Sequence, residues 1–403
     1  MRASGVAFVF LTLRSRLNGR PANGRGLLDA CSAPETSDPG GNILVLDPAS
    51  TGCFDDLESA GFQVTTAHGI DDAELERVLP GYDALILRSA NRVTRQMLET
   101  SPRVAVVGRA GSGVDNIDLD AARELGVPVV NAPTGNAGSV AELVMGVMLG
   151  VSRGIPRAHE SMKRGEWAKK EFHGRSLKGK VLGIVGFGSV GQEVARIAIA
   201  LGMYVLVAAH RSKSFARSPF SGNLEPESNP SGSKRLLLEG EAGQTDSPPC
   251  IPLDDLLSKS DFLSLHVPLT LETHGMIGAR ELALMKPSAV VVNAARGGVV
   301  DEQGKVSSLL RALEEERLGG AALDVFASEK APVEDHVVRL CRLPNVICTP
   351  HIGGSTAEAR EQVLAEVCGA VLEVLRGTVQ PGRIVNGNPE TSVRLARLPG
   401  GSL

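Results

Sequence analysis

The sequence predicts an α/β protein built on parallel sheets, and three observations predict it. Short runs rich in Val, Ile and Leu recur without polar–apolar alternation, as strands buried on both faces require. Longer segments with helical spacing separate them. Strand–helix repetition of this kind builds parallel sheets through right-handed crossovers. A chain of 403 residues that is 42% hydrophobic also has material for two or three domains with real cores.

The strand candidates, in order, are Ile43–Leu46, Ala84–Leu87, Val104–Val107, Val127–Val130, Val181–Val185, Tyr204–Val207, Phe262–His266, Ala289–Val292, Ala321–Val325 and Val346–Thr349. Between them, Ser139–Ser152 and Val190–Leu201 have the length and spacing of helices. Ala357–Arg376 puts Val363, Leu364, Val367, Val371 and Val374 on one face, which marks a packing helix. One segment breaks the rhythm. Lys213–Cys250 is full of Ser, Pro, Gly and Glu, and reads as a disordered, solvent-exposed insertion. Residues 1–41 carry Arg2, Arg14, Arg16, Arg20 and Arg25 with no acid before Asp29. That composition suits an organelle transit peptide or a disordered extension. Residues 389–403 form a polar tail.

Charge and cysteine usage exclude several classes. A net charge of -4 gives no basic field for nucleic acid or a membrane surface. No apolar run approaches the roughly 20 residues of a membrane span. The cysteines Cys31, Cys53, Cys250, Cys341, Cys348 and Cys368 are scattered without a C-x-x-C pair. They suit neither a disulfide scaffold nor a zinc site, so no metal is expected and a reducing compartment is. The reading is a soluble protein, cytoplasmic, or organellar if residues 1–41 act as a transit peptide.

The stretch VLGIVGFGSVGQEVARIA follows a strand with Gly186, Gly188, Ser189, Val190 and Gly191 and then enters a helix. Gly186 permits a tight turn, Gly188 lets backbone approach a pyrophosphate, and Gly191 lets helix and strand pack closely. The helix N-terminus then offers free N–H groups to the phosphates. In that strand–turn–helix context the motif points to a dinucleotide. The next strand ends at Ala208-Ala209, where a ribose-binding acid is usual; Arg211 and Ser212 follow. An arginine beside a hydroxyl suits a 2′-phosphate. The cofactor is therefore NAD or NADP, with Ala209 tilting toward tolerance of NADP, unless the adjoining insertion has altered this edge.

Three strand candidates end in reactive groups: Arg296 in VVNAARGGVVDE, Glu329 in GAALDVFASE and His351 in NVICTPHIGGST. Ligands of open parallel sheets bind beyond the carboxyl ends of strands, so the three are placed to converge. Oxidising an alcohol needs a base for the hydroxyl proton, and histidine has the suitable pKa. A carboxylate on its other nitrogen fixes the tautomer. A carboxylate substrate needs a fork of donors, which arginine supplies.

These stretches, with LILRSANRVT, VVGRAGSGVDNIDL, VVNAPTGNAGSVAEL, DFLSLHVPLT and AALDVF, occur in an order that resembles the D-isomer-specific 2-hydroxyacid dehydrogenases from about residue 42 to 388. The resemblance is strongest to the branch that acts on D-3-phosphoglycerate. It implies a Rossmann nucleotide domain (residues 132–353) inserted into a flavodoxin-like substrate domain (residues 42–131 and 354–388), both doubly wound. It implies Arg296, Glu329 and His351 as catalytic groups. Ser112, Ser189, Val190, Val267, Ala294, Ala295, Asp324, Gly353 and Gly354 match places where the cofactor lies. Arg88 and Arg109 match basic positions that face a substrate phosphate. The implied activity is NAD(P)-dependent oxidation of D-3-phosphoglycerate to 3-phosphohydroxypyruvate, the first step of serine synthesis. Alternatives are an NADPH-dependent glyoxylate or hydroxypyruvate reductase and, from another class, a dinucleotide-sensing corepressor-like protein. The family also implies a homodimer or homotetramer, with the helix from Ser139 near the contact. The longer forms' C-terminal regulatory domains have no counterpart in this sequence, so serine feedback is not expected.

Overall fold

A computed structural model describes residues 41–46, 54–208, 248–302 and 307–387. Its first sheet holds β1 (Asn42–Val45), β2 (Gln63–Thr66), β3 (Ala84–Leu87), β4 (Val106–Arg109) and β5 (Val129–Asn131). Their order is β2-β1-β3-β4-β5 and every pairing is parallel, the flavodoxin-like arrangement. The second sheet holds β6 (Val181–Val185), β7 (Tyr204–Ala208), β8 (Phe262–Leu265), β9 (Val290–Asn293), β10 (Gly320–Leu323) and β11 (Val346–Cys348). Its order is β11-β10-β9-β8-β6-β7, again parallel.

Two differences from the sequence reading stand out. The strand β2 was not expected, because QVTT has no apolar run; it lies at the sheet edge with both end residues exposed. Cys250, expected within the disordered insertion, instead bridges Val207 in parallel beyond β7. The Val207 N–H donates to Pro249 O at 3.0 Å, and Ile251 N–H donates to Val207 O at 2.8 Å. A short stub here satisfies part of the open edge of β7. It also completes the strand order of a dinucleotide-binding sheet, with the chain returning beside the second strand before crossing to the fourth. Ala209, Arg211, Ser212 and the insertion up to residue 247 lie outside the described residues, as do residues 1–40 and 388–403.

Strands β1, β3, β8, β9 and β10 are buried at every position, which explains their unbroken apolar sequences. Each sheet is covered on both faces. On the second, helices Ala137–Arg153 and Ser189–Ala200 bury Val140, Val144, Met148, Val194 and Ala198 against Ile184 and Val292. The opposite face buries Leu256, Leu282, Leu310 and Leu340. On the first sheet, helix Ala357–Leu375 returns to bury Val363, Leu364, Val367, Val371 and Val374 against Ile43, Ile86 and Val106. Full burial of each such side chain stabilises by roughly 1.5–3 kcal/mol. Among the described residues no single helix is long and apolar enough to cross a membrane.

The chain passes between the two sheets twice, and the passages run side by side. Ser139 Oγ and Thr356 Oγ1 are 2.9 Å apart, and Gly135 N–H donates to Glu366 Oε2 at 2.8 Å. The strand ends of both sheets face the same cleft beside these passages, as the contacts below show.

Candidate active site

The glycine turn follows β6, beside the point where the strand order reverses between β6 and β8. Gly186 has φ +90°, and a Cβ there would lie 2.5 Å from the His266 carbonyl oxygen. At Gly191 a Cβ would lie 2.4 Å from Gly186 O. At Gly188 nothing stands within 4 Å. Two glycines are thus required by packing, while the third leaves open space at the start of helix Ser189–Ala200. That helix begins without a side-chain cap, so its first N–H groups face the open space. These features fit a dinucleotide pyrophosphate. Ser189 and Val190 open the helix, and Val267 follows β8 against Gly186.

Ala294, Ala295 and Arg296 follow β9. Buried Asn293 shapes this turn: its Nδ2 donates to Arg296 O at 2.9 Å and its Oδ1 accepts from Ala295 N–H at 3.1 Å. Arg296 then reaches across to the loop after β4. Its Nε donates to Asp115 Oδ2 at 2.9 Å. A Cβ on Gly113 would lie 1.6 Å from Arg296 Nη2, and one on Gly111 would lie 1.5 Å from Arg109 Nη1. Two guanidinium groups from different sheets therefore lie against one short Gly-Ser-Gly loop, whose Ser112 donates to Asn136 Oδ1 at 2.8 Å. Arg109 ends β4 and Arg88 follows β3. Burial pushes Arg109 down to about 10; nearby Arg296 and Arg88 push the same way and Asp115 opposes them. Its Nε is buried without a hydrogen-bond partner among the described residues. Three arginines with one acid give this part of the cleft a net positive charge.

Glu329 lies in the loop after β10 and His351 after β11. Glu329 Oε2 is 2.7 Å from His351 Nδ1, and Glu329 Oε1 accepts from Phe326 N–H at 3.3 Å. The hydrogen bond from Glu329 raises the His351 pKa above the ordinary range; burial and Arg296 oppose this, and Asp324 assists. Burial pulls the Glu329 carboxyl up, but the His351 bond and charge outweigh it and the net shift is downward. His351 has φ +55°, an unusual backbone for a non-glycine residue. Asp324 holds it there: Asp324 O accepts from His351 N–H at 2.8 Å. The buried Asp324 carboxylate takes Thr349 Oγ1 at 2.6 Å and the N–H groups of Ile352 and Gly353 at 2.8 Å each. Gly354 lies next, with room for a Cβ limited by Asn136 Nδ2 at 3.0 Å. By contrast His266, near the nucleotide turn, is pushed down to about 4 by burial and is unsuited to hold a proton.

Sequence reasoning missed Asp115, Asn293 and Glu302. Asp115 stands in the quoted stretch VVGRAGSGVDNIDL, so an acid beside the glycine loop was the available signal.

A parallel α/β fold with a dinucleotide turn, a carboxylate–histidine pair and an arginine cluster in one cleft defines a nucleotide-dependent oxidoreductase. The comparisons narrow it. Residues 145–222 and 238–353 match the model of the D-isomer specific 2-hydroxyacid dehydrogenase, NAD binding domain. The chain is 41% identical over 335 residues to D-3-phosphoglycerate dehydrogenase of Methanocaldococcus jannaschii, covering 83% of this chain and 57% of that protein. It is 40% identical over 317 residues to hydroxypyruvate reductase of Thermotoga maritima, covering 78% of this chain and 91% of that protein. The structure is similar to D-lactate dehydrogenase from Aquifex aeolicus complexed with NAD and lactic acid, with TM-score 0.67, 26% identity and coverage of 86% and 99%. The chain belongs to the D-isomer specific 2-hydroxyacid dehydrogenase family. It spans little more than half the length of the phosphoglycerate dehydrogenases it matches, 57% in one case and 54% in another.

Proposed function

We propose that this protein oxidises D-3-phosphoglycerate to 3-phosphohydroxypyruvate with NAD or NADP, the entry step to serine synthesis. The observation that carries the reading is the arginine cluster: Arg109, whose buried Nε has no partner among the described residues, stands near Arg88 and Arg296, and such a cluster suits a substrate with two anionic ends. The 41% identity to a protein named for this activity supports it.

In this reading Arg296 holds the substrate carboxylate with its planar fork. Arg109 and Arg88 hold the phosphate. The bond from His351 Nδ1 to Glu329 leaves Nε2 free to take the hydroxyl proton. The resulting imidazolium is stabilised by Glu329, which is why the pair must stay 2.7 Å apart. A nicotinamide held by the glycine turn would supply the hydride acceptor for the carbon that bears the hydroxyl. In the reverse direction protonated His351 returns its proton to the carbonyl oxygen.

A second reading is favoured by one observation. The chain is 40% identical to the Thermotoga protein named hydroxypyruvate reductase, nearly the 41% it shares with the Methanocaldococcus protein. Steady-state rates with D-3-phosphoglycerate and with D-glycerate separate the two. An unchanged KM for the phosphorylated acid in Arg88→Ala sinks the phosphate assignment. Binding titrations of NAD(H) against NADP(H) decide the cofactor, and equal or tighter NAD(H) binding removes the tilt toward NADP drawn from Ala209, Arg211 and Ser212.

A further inference from the structure

Glu302 is only 1% exposed, yet none of the roles above uses it. Its Oε1 accepts from Gly298 N–H at 3.0 Å and from Ala327 N–H at 2.9 Å. Its Oε2 is buried with no partner among the described residues. The two donors belong to different loops. Gly298 sits just past Arg296, and Ala327 just before Glu329. The loops touch there: a Cβ on Gly297 would lie 1.9 Å from the carbonyl carbon of Phe326 and 2.3 Å from Ala327 N. Phe326 N–H in turn donates to Glu329. One carboxylate oxygen therefore ties the loop bearing Arg296 to the loop bearing the partner of His351.

We propose that Glu302 is a positioning residue for this reaction: through Oε1 it fixes the Glu329 loop against the Arg296 loop, and so keeps the Glu329–His351 pair in register with the carboxylate-binding arginine. The proposal rests on the roles given to those three residues above. A buried carboxyl with one oxygen unpaired is a costly staple, and burial raises its pKa against the two N–H donors, with Asp301 adding to the rise. A staple needed for stability alone is better served by a group with both oxygens satisfied or by apolar packing. One that costs stability between two reactive loops fits the demand for sub-ångström placement.

The test reads His351 directly. The groups acting on its titration are Glu329, Asp324 and Arg296. Labelled imidazole is titrated by NMR, with His351→Gln assigning its signal among the 8 histidines. Glu302→Asp is shorter by one methylene and cannot span both loops. It is expected to lower the His351 midpoint toward the free value of about 6.5 and to cut kcat roughly 10- to 100-fold, with NADH affinity unchanged. Glu302→Gln keeps an acceptor at Oε1 and restores the midpoint. A wild-type midpoint and kcat in Glu302→Asp, with only the melting temperature reduced, overturns the proposal. If Glu302→Asp does not fold, Glu302→Leu, which removes the acceptor, is read beside Glu302→Gln: a midpoint lowered in Leu and retained in Gln upholds the acceptor clamp, and a midpoint unchanged in both or lowered in both refutes it. Should the wild-type protein turn over no 2-hydroxy acid, the activity reading fails, while the titration still answers for Glu302.

Discussion

Replacing Arg109 by leucine should stabilise the free protein while crippling it toward a phosphorylated substrate. Burial, with Arg296 and Arg88 nearby, pushes the guanidinium down to about 10. At neutral pH the group is charged both folded and unfolded, so the whole penalty opposes folding. It is relieved only above pH 10. A depression of that size corresponds to roughly 3 kcal/mol. Water reaching the cleft screens part of it, leaving about 1–2 kcal/mol. Arg109→Leu removes the penalty and should raise Tm by about 2–8 °C. Under the proposed function the same change would delete a charge-assisted contact to the phosphate worth about 1.5–3 kcal/mol, or roughly 10- to 150-fold in KM. KM for D-glycerate should barely move. Scanning calorimetry and steady-state kinetics on the two acids measure both halves. A lower Tm, or an equal KM increase for both acids, would show that Arg109 is held by the fold rather than kept for an anion.

Other outcomes follow from the same geometry. Because Glu329 raises the His351 pKa, kcat/KM for oxidation should rise with pH through a midpoint above about 6.5, and the reductive direction should fall through it. Glu329→Gln should move that midpoint down, and a profile unmoved by the change would unseat Glu329 as partner. Gly188→Ala should fold normally, since nothing lies within 4 Å, yet bind NADH more weakly by fluorescence titration. Gly186→Ala should melt earlier, because φ +90° and the His266 carbonyl at 2.5 Å leave its Cβ no place. Trp167 is 82% exposed, with Met162 at 54% and Ile155 at 53%, so light scattering should find a dimer or tetramer. Trp167→Glu should then shift the mass downward, and a wild-type monomer would refute the reading.

The strands most legible in the sequence were those buried on both faces, because there the apolar run and the ladder coincide. β3 and β6 have the bounds their sequences suggested. β4 does not: Val104 and Ala105 are fully buried, yet pairing starts at Val106 opposite Ala84. Hydrophobicity marks burial, whereas register depends on where the neighbouring strand begins. β2 shows the converse, a strand made by pairing alone with little burial to announce it. In the cleft, Arg296, Glu329 and His351 were readable as groups at strand ends. Their holders were not. Asp115 meets Arg296 across a separation of 181 residues, and no local pattern encodes that meeting.

The two carboxylates behind the reactive trio differ in a way that bears on how the cleft is built. Asp324 satisfies both oxygens with donors from the loop of His351, so it holds a strained backbone at little electrostatic cost. Glu302 satisfies one oxygen and leaves the other without a partner among the described residues. Arg109 likewise carries an unpaired buried nitrogen. One positive and one negative group thus each keep a buried atom short of a partner among the described residues. Under the proposed function, an anion seated near Arg296 and Arg109 would supply the partner that the Arg109 Nε lacks among the described residues, and a dianionic acid would gain more from the cleft than a monoanionic one.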